Sequence, residues 1–352
     1  MSGRRMVDSP QCQRSVHRVE AFRARGGARA AAVGADPEAP ALAAGRRGAI
    51  ARGALNGRYG DYLHGRDSEL ALDMSVRRDG AAVALTPEGL ASAFPGGGRR
   101  VAVFVHGLGE TDEAWRWGSR DGYGERLRRD VGFVPVHVRY NTGRPVADNG
   151  RALARLLADV VASWPSVVDE IALVGHSMGG LVVRDACRRA DVAGEEWVAA
   201  VSTVVGLGTP HRGADLEKAT HTLAWTLGLA PETRPLQRVI DVRSAGIKDL
   251  RHGSGGVADG RERDRFVSAV VREGPVGMLV GDLLVRPSSA SGGLRHGREL
   301  TGLNHFDLLN HPEVYEQLRD WLSPERRAPT RTGSGHRRAR RSSRPGPSAG
   351  SA

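Results

Sequence analysis

The chain has 352 residues, 40% of them hydrophobic, and its two cysteines are too few for a disulfide framework or a cysteine-based metal site. No apolar run approaches the length of a membrane span, which excludes a transmembrane segment in the sequence. The formal net charge of +11 belongs to the ends, because residues 1–34 hold seven arginines and two acids and residues 324–352 hold eight arginines and one acid.

The two ends differ in composition from the body. Residues 1–64 are expected to form an N-terminal leader, partly helical and partly disordered, with apolar positions at helical spacing over 47–62. Residues 324–352, rich in Pro, Gly, Ser and Arg, are expected to form a disordered basic tail. These basic ends are either solvated tails or weak contacts for anionic surfaces. Aromatic residues are not interleaved with the arginines, so no specific nucleic-acid binding is expected.

The body, residues 65–323, alternates short apolar strands with segments of helical length. The predicted strands are VAVFV (101–105), FVPVHVRY (133–140), IALVG (171–175), VSTVVGLG (201–208) and FVSAVV (266–271). The predicted helices are 146–163, 181–190 and the closing HPEVYEQLRDWL, 311–322. This alternation is typical of an α/β protein with a doubly wound, mostly parallel sheet.

One serine follows a predicted strand and precedes a predicted helix. Gly175-His176-Ser177-Met178-Gly179 fits the pattern G-x-S-x-G in the context of a nucleophile elbow. The tight turn leaves no room for side chains at either glycine, and the helix that follows directs unsatisfied N–H groups toward a developing anion. The pattern predicts Ser177 as a nucleophile.

A serine hydroxyl needs a base and an acid that orients the base. In this fold the acid and then the histidine follow the serine along the chain, which favours Asp282 and His305. Other acids downstream of Ser177 lie in a stretch with no strand ahead of them and are expected at the surface: Asp241, Asp249 and Asp259. His311 competes with His305 as the base, but it precedes a proline and resembles a helix-start residue.

The predicted oxyanion hole has two backbone donors. One is the N–H of Met178, directly after the nucleophile, and the other is the N–H of Leu108, after His106 and Gly107 turn the chain. Alternatively, the His-Gly pair after the strand is only a turn. The histidines near the predicted site that precede the acid are expected to shape turns: His106, His176 and His211.

Several motifs together resemble a known group of enzymes. FVHGLGE, YNTG, LVGHSMGG, GLGTPHRGA, GDLLV and LNHFDLLNHPEVY, spread over about 100–323, resemble the lipase and esterase branch of the α/β-hydrolase superfamily, and more narrowly bacterial proteins similar to GPI inositol-deacylases. The resemblance implies hydrolysis of carboxylic esters through an acyl-enzyme, with Ser177, Asp282 and His305 as the triad and with no metal or organic cofactor. It implies no particular substrate.

Residues 212–262 lie where such folds insert a cap. Leu223 to Leu229, with Trp225, would then line an acyl pocket or meet a lipid surface; alternatively, this stretch is a helix that packs on the body.

The expected protein is a cytoplasmic serine esterase whose partner is an acyl-ester small molecule or lipid. Two alternatives remain open from the sequence. One is an acyltransferase on the same triad, and the other is a non-catalytic binding protein of hydrolase fold with basic tails.

Overall fold

The computed structural model describes residues 45–118, 121–209, 264–270, 297–301, 303 and 305–323. The helices in these ranges are α1 (Gly45–His64), α2 (Pro87–Ala93), α3 (Tyr123–Val131), α4 (Val146–Ala162), α5 (Met178–Ala193) and α6 (Pro312–Leu322). The strands are β1 (Ser75–Arg78), β2 (Ala81–Ala82), β3 (Arg100–Val105), β4 (Val134–Arg139), β5 (Glu170–His176), β6 (Val201–Leu207), β7 (Asp264–Val270) and β8 (Gly297–Thr301). Short 3-10 helices span Asp112–Arg116, Glu196–Ala200 and Asp307–Leu309.

The described strands form one eight-stranded sheet in the order β2-β1-β4-β3-β5-β6-β7-β8. β1 pairs antiparallel with β2 and with β4, and the remaining neighbours pair parallel. Parallel strands bring their carboxyl ends to one edge, so the loops after β3, β5, β6 and β8 meet there.

Both faces of the sheet are covered by helices. In β3, Val103 and Val105 face the cluster that includes α4 and α5, whereas Ala102 and Phe104 face the cluster that includes α3 and α6. Burial on both faces explains why VAVFV and IALVG are continuously apolar rather than alternating. The predicted doubly wound, mostly parallel α/β fold is confirmed.

The predicted elements were found, but the structure also contains elements that the sequence did not predict. The five predicted strands correspond to β3 to β7, and the closing helix to α6, where Val314, Leu318 and Leu322 are fully buried. His311 is the N-cap of α6, and its Nδ1 accepts the N–H of Glu313 at 3.3 Å. β1, β2, β8, α2 and α3 were not predicted.

α1 packs against the loops that follow β3 and β4. The amide of Asn141 donates to the carbonyl of Gly60 at 2.9 Å, and the Asn56 amide oxygen accepts the N–H of Leu72 at 2.9 Å. A Cβ on Gly57 would lie 2.7 Å from the Cα of Gly109. Residues 45–64 therefore contact the body, and the division of the chain at residue 64 stays a prediction.

Some predictions fall on residues that the structure does not describe. These are the first part of the leader (1–44), the cap (212–262) and the basic tail (324–352). Among the described residues, no helix combines the length and apolar character needed to cross a membrane.

Candidate active site

Ser177 occupies a sharp turn between β5 and α5. Its backbone has φ 51° and ψ −123°, a conformation that a residue with a side chain rarely adopts. The N–H of Ser177 donates to the carbonyl of Leu207 at 2.8 Å, which ties the turn to the end of β6. The side chain is partly exposed, whereas its neighbours His176 and Met178 are buried. Such local strain, held by the surrounding structure, presents the hydroxyl at the carboxyl edge of the sheet.

The two glycines of the motif lie at close contacts between main chains. A Cβ on Gly175 would overlap the backbone of Gly180 in α5, and a Cβ on Gly179 would lie 2.5 Å from the carbonyl oxygen of His106. β5, α5 and the end of β3 are therefore packed too closely for any side chain at these positions.

The loop after β3 carries the first predicted oxyanion donor. The N–H of Glu110 donates to the carbonyl of Gly107 at 3.2 Å, and the N–H of Gly109 donates to the hydroxyl of Thr142 at 3.0 Å. Within the described residues, the N–H of Leu108 makes no hydrogen bond. Met178 is the first residue of α5, so its N–H has no carbonyl one turn earlier in the helix. The oxyanion hole that these two N–H groups would form stays a prediction.

His106 fixes this loop against β4. Its Nδ1 lies 3.0 Å from the carbonyl of Gly107, and its Nε2 accepts the N–H of Tyr140 at 3.3 Å. The Tyr140 hydroxyl donates to the His106 carbonyl at 2.8 Å, and the two rings stack at 4.5 Å. Burial lowers the pKa of His106, so the ring is neutral with its proton on Nδ1. These contacts hold the start of the loop against the end of β4.

His305 lies between β8 and α6. Its ring centroid is 4.5 Å from that of His176, the residue before Ser177, and its carbonyl lies 3.1 Å from Nε2 of His176. The ring also lies against Gly208, which follows the Leu207 that binds the Ser177 amide. The structure thus brings the loop of His305 to the turn that carries Ser177.

The environment keeps the His305 imidazole neutral. Burial lowers the pKa of His305 and the neighbouring His176 lowers it further, to about 3, although Glu110 acts in the opposite sense. A neutral imidazole at neutral pH is the form that can accept a proton.

Glu110 was not predicted as a site residue, yet its side chain is only 9% exposed and lies against His176. Its carboxylate accepts the N–H of Gly107 at 2.7 Å and lies 2.9 Å from Nδ1 of His176. Burial raises the pKa of Glu110, but the charge and hydrogen bond of His176 and the bond from Gly107 outweigh it, so the pKa lies below its usual value. The signal that could have indicated Glu110 is an acidic side chain in the loop directly after a buried strand.

The remaining predicted site residues cannot be placed. Asp282 belongs to the segment between β7 and β8, outside the described residues. The same holds for the alternatives for the acid and for one histidine expected to shape a turn: Asp241, Asp249, Asp259 and His211.

A family model described as a PGAP1-like alpha/beta domain matches residues 140–254, which include β5, the Ser177 turn and α5. The comparison with curated proteins gave no match.

Solved structures similar to this one include a lipase, a lipase-esterase related protein and a thioesterase. The mature Bacillus licheniformis lipase BlEst2 is 18% identical to this chain. The match covers 65% of this chain and 93% of the lipase, with a TM-score of 0.44. A lipase-esterase related protein from Clostridium acetobutylicum ATCC 824 is 13% identical, with coverages of 64% and 95% and a TM-score of 0.40. The type II thioesterase BorB from the borrelidin biosynthetic cluster is 18% identical, with coverages of 65% and 92% and a TM-score of 0.40.

The sheet order, the strained serine between β5 and α5, and the family match over 140–254 agree with the resemblance found in the sequence motifs. Over residues 140–254 the chain is similar to the PGAP1-like alpha/beta domain family.

Proposed function

We propose that the protein is a serine hydrolase that cleaves carboxylic esters through an acyl-enzyme on Ser177. The observation that carries the proposal is the strained, partly exposed Ser177, with the neutral ring of His305 packed beside the preceding residue. A strained elbow has a cost in free energy that a purely structural turn would avoid by placing glycine there. The proposed substrate class is an acyl ester, as a small molecule or a lipid.

In the proposed reaction, the Ser177 oxygen bonds to the ester carbonyl carbon while its proton passes to His305. The oxyanion forms hydrogen bonds with the N–H groups of Leu108 and Met178. The C–O bond to the alcohol then breaks, and His305 returns the proton to the leaving oxygen. Water repeats the sequence on the acyl-enzyme and releases the acid. Asp282 is proposed to orient the imidazole.

The test is the turnover of p-nitrophenyl esters of increasing chain length. Ser177→Ala and His305→Gln are expected to lower kcat by about 10⁴-fold or more, and Asp282→Asn by a similar factor, because each removes a member of a unit that acts together. Adding a competing alcohol and analysing the products separates hydrolysis from acyl transfer.

Ser202→Ala is the matched control. Ser202 lies at the amino end of β6, and its hydroxyl donates to Glu170 at 2.8 Å, on the opposite edge of the sheet from Ser177. It should retain full turnover. Equal turnover in Ser177→Ala and Ser202→Ala would contradict the nucleophile assignment.

A further inference from the structure

A buried acid–imidazole pair links the three loops of the site. His176, with no exposed side-chain surface, has Nδ1 at 2.9 Å from Oε1 of Glu110 and 3.1 Å from Oε2. Its Nε2 lies 3.1 Å from the carbonyl oxygen of His305. Glu110 in turn accepts the N–H of Gly107, in the loop of the oxyanion hole. One pair of side chains therefore contacts the elbow, the oxyanion loop and the loop of the base.

The hydrogen-bond partners determine the protons on His176. A backbone carbonyl oxygen can only accept, so Nε2 carries a proton. Glu110 also accepts the N–H of Gly107, and an ionised carboxylate only accepts hydrogen bonds, so Nδ1 faces an acceptor as well. Either neutral tautomer would set a nitrogen lone pair against an oxygen lone pair.

We propose that His176 is a doubly protonated imidazolium which, paired with ionised Glu110, positions the loop of His305 and the oxyanion-hole loop around Ser177. Because this role concerns the ester hydrolysis proposed above, it rests on that function. His176 and Glu110 are positioning residues, since neither is assigned a contact with the substrate.

The pair also balances charge next to the base. Among the residues that the structure describes, the titratable groups near the pair include Tyr140, His305 and His106, and burial keeps both of these imidazoles neutral. When His305 takes the serine proton, it becomes a cation 4.5 Å from the His176 ring, and the Glu110 carboxylate offsets the charge of His176 and so weakens its repulsion of the new cation. Without Glu110, His305 would have to become protonated beside an unpaired buried cation.

Nitrogen NMR of the histidine side chains tests the protonation without any substrate. Among the 12 histidines, the His176 signals are those lost in His176→Gln. At neutral pH the wild type should show both nitrogens of His176 protonated. Glu110→Gln should show a neutral ring with its proton on Nε2, because an amide N–H can donate to Nδ1. A neutral His176 ring in the wild type would overturn the proposal.

Kinetics test the positioning role. Glu110→Leu removes every contact of the carboxylate and should lower kcat about 100-fold with little change in KM, because misplaced catalytic groups affect the chemical step. Glu110→Gln can keep the bonds to Gly107 and His176, so its kcat should fall less than tenfold. Equal loss in the two variants, or none in Glu110→Leu, would overturn the positioning role.

The two proposals fail in distinguishable ways. If the wild type turns over no ester while NMR shows the imidazolium, the proposed function is wrong and the charged pair stands. If the wild type is active while His176 is neutral, the pair is wrong and the hydrolase function stands.

Discussion

Gly208 lies directly against the ring of His305. Its φ is +59°, and a Cβ added there would lie 2.8 Å from both Cε1 and Nδ1 of the imidazole. Two features therefore require glycine at this position: the left-handed backbone and the close contact with the imidazole of the proposed base. The contact with the imidazole could not be predicted from GLGTP, because it depends on a residue almost a hundred positions away.

Gly208→Ala should displace the imidazole and lower kcat about 100-fold. Gly132→Ala is the control, because Gly132 has φ +73° and open space around its Cα. Both substitutions cost about 1–2 kcal/mol of stability through the left-handed backbone. Steady-state kinetics should show the loss only at position 208. An equal loss of kcat in Gly132→Ala would show that backbone strain, and not the contact with His305, causes the effect.

Local sequence predicts a residue's role when that role follows from local geometry. Ser177 was predicted because G-x-S-x-G between a strand and a helix specifies a turn. Glu110 was missed because its burial depends on His176, which comes from another strand. The position of His305 beside the elbow likewise depends on how β8 and α6 pack, and Asp282 remains a prediction.

At the scale of elements, α1 packs closely on the loop that follows β3, at Gly57 and Gly109. A Cβ on Gly57 would lie 2.7 Å from the Cα of Gly109 and 3.0 Å from its nitrogen, both backbone atoms of that loop. Helical periodicity predicted α1 but not this contact, since glycine has no side chain to mark a packing face. β8 was missed because GRELT carries little apolar character, and its place follows from pairing with β7.

Gly57→Ala should destabilise the protein despite the higher helix propensity of alanine. Propensity alone would add about 0.5–1 kcal/mol of stability, whereas overpacking against a main chain costs about 1–3 kcal/mol. Urea unfolding should show a net loss, and kcat should fall as the loop of Leu108 shifts. Gly65→Ala is the control, because a Cβ there would lie 3.4 Å from its nearest atom. It should change neither the free energy of unfolding nor kcat. A more stable, fully active Gly57→Ala would refute this packing.

At the scale of the whole molecule, Arg100 joins elements that are far apart in the chain. Its guanidinium donates to the carbonyl of Val131 at 2.5 Å, to the carbonyl of Leu322 at 2.7 Å and to Glu170 at 2.8 Å. It thereby connects the start of β3 with the ends of α3 and α6 and the start of β5. Composition and periodicity predicted these layers, but no local pattern separates Arg100 from its neighbour Arg99.

Arg100→Lys should lower the free energy of unfolding by about 2 kcal/mol. An ammonium group cannot bind all three partners of the guanidinium, and hydrogen bonds to charged groups are worth about 1.5–3 kcal/mol. Arg99→Lys is the control, since the Arg99–Asp169 pair is exposed and should contribute about 1 kcal/mol or less. Chemical denaturation of both variants measures the difference. Equal losses of unfolding free energy in the two variants would show that the hydrogen bonds of Arg100 do not stabilise the packing of these elements.

The central claim is that Ser177 is the nucleophile of a serine hydrolase, and covalent labelling tests it most directly. The wild type is treated with an active-site-directed fluorophosphonate, digested and mapped by mass spectrometry. We expect one adduct, on the peptide that contains Ser177, and no adduct in Ser177→Ala. A label on another residue, or labelling that persists in Ser177→Ala, would contradict the account.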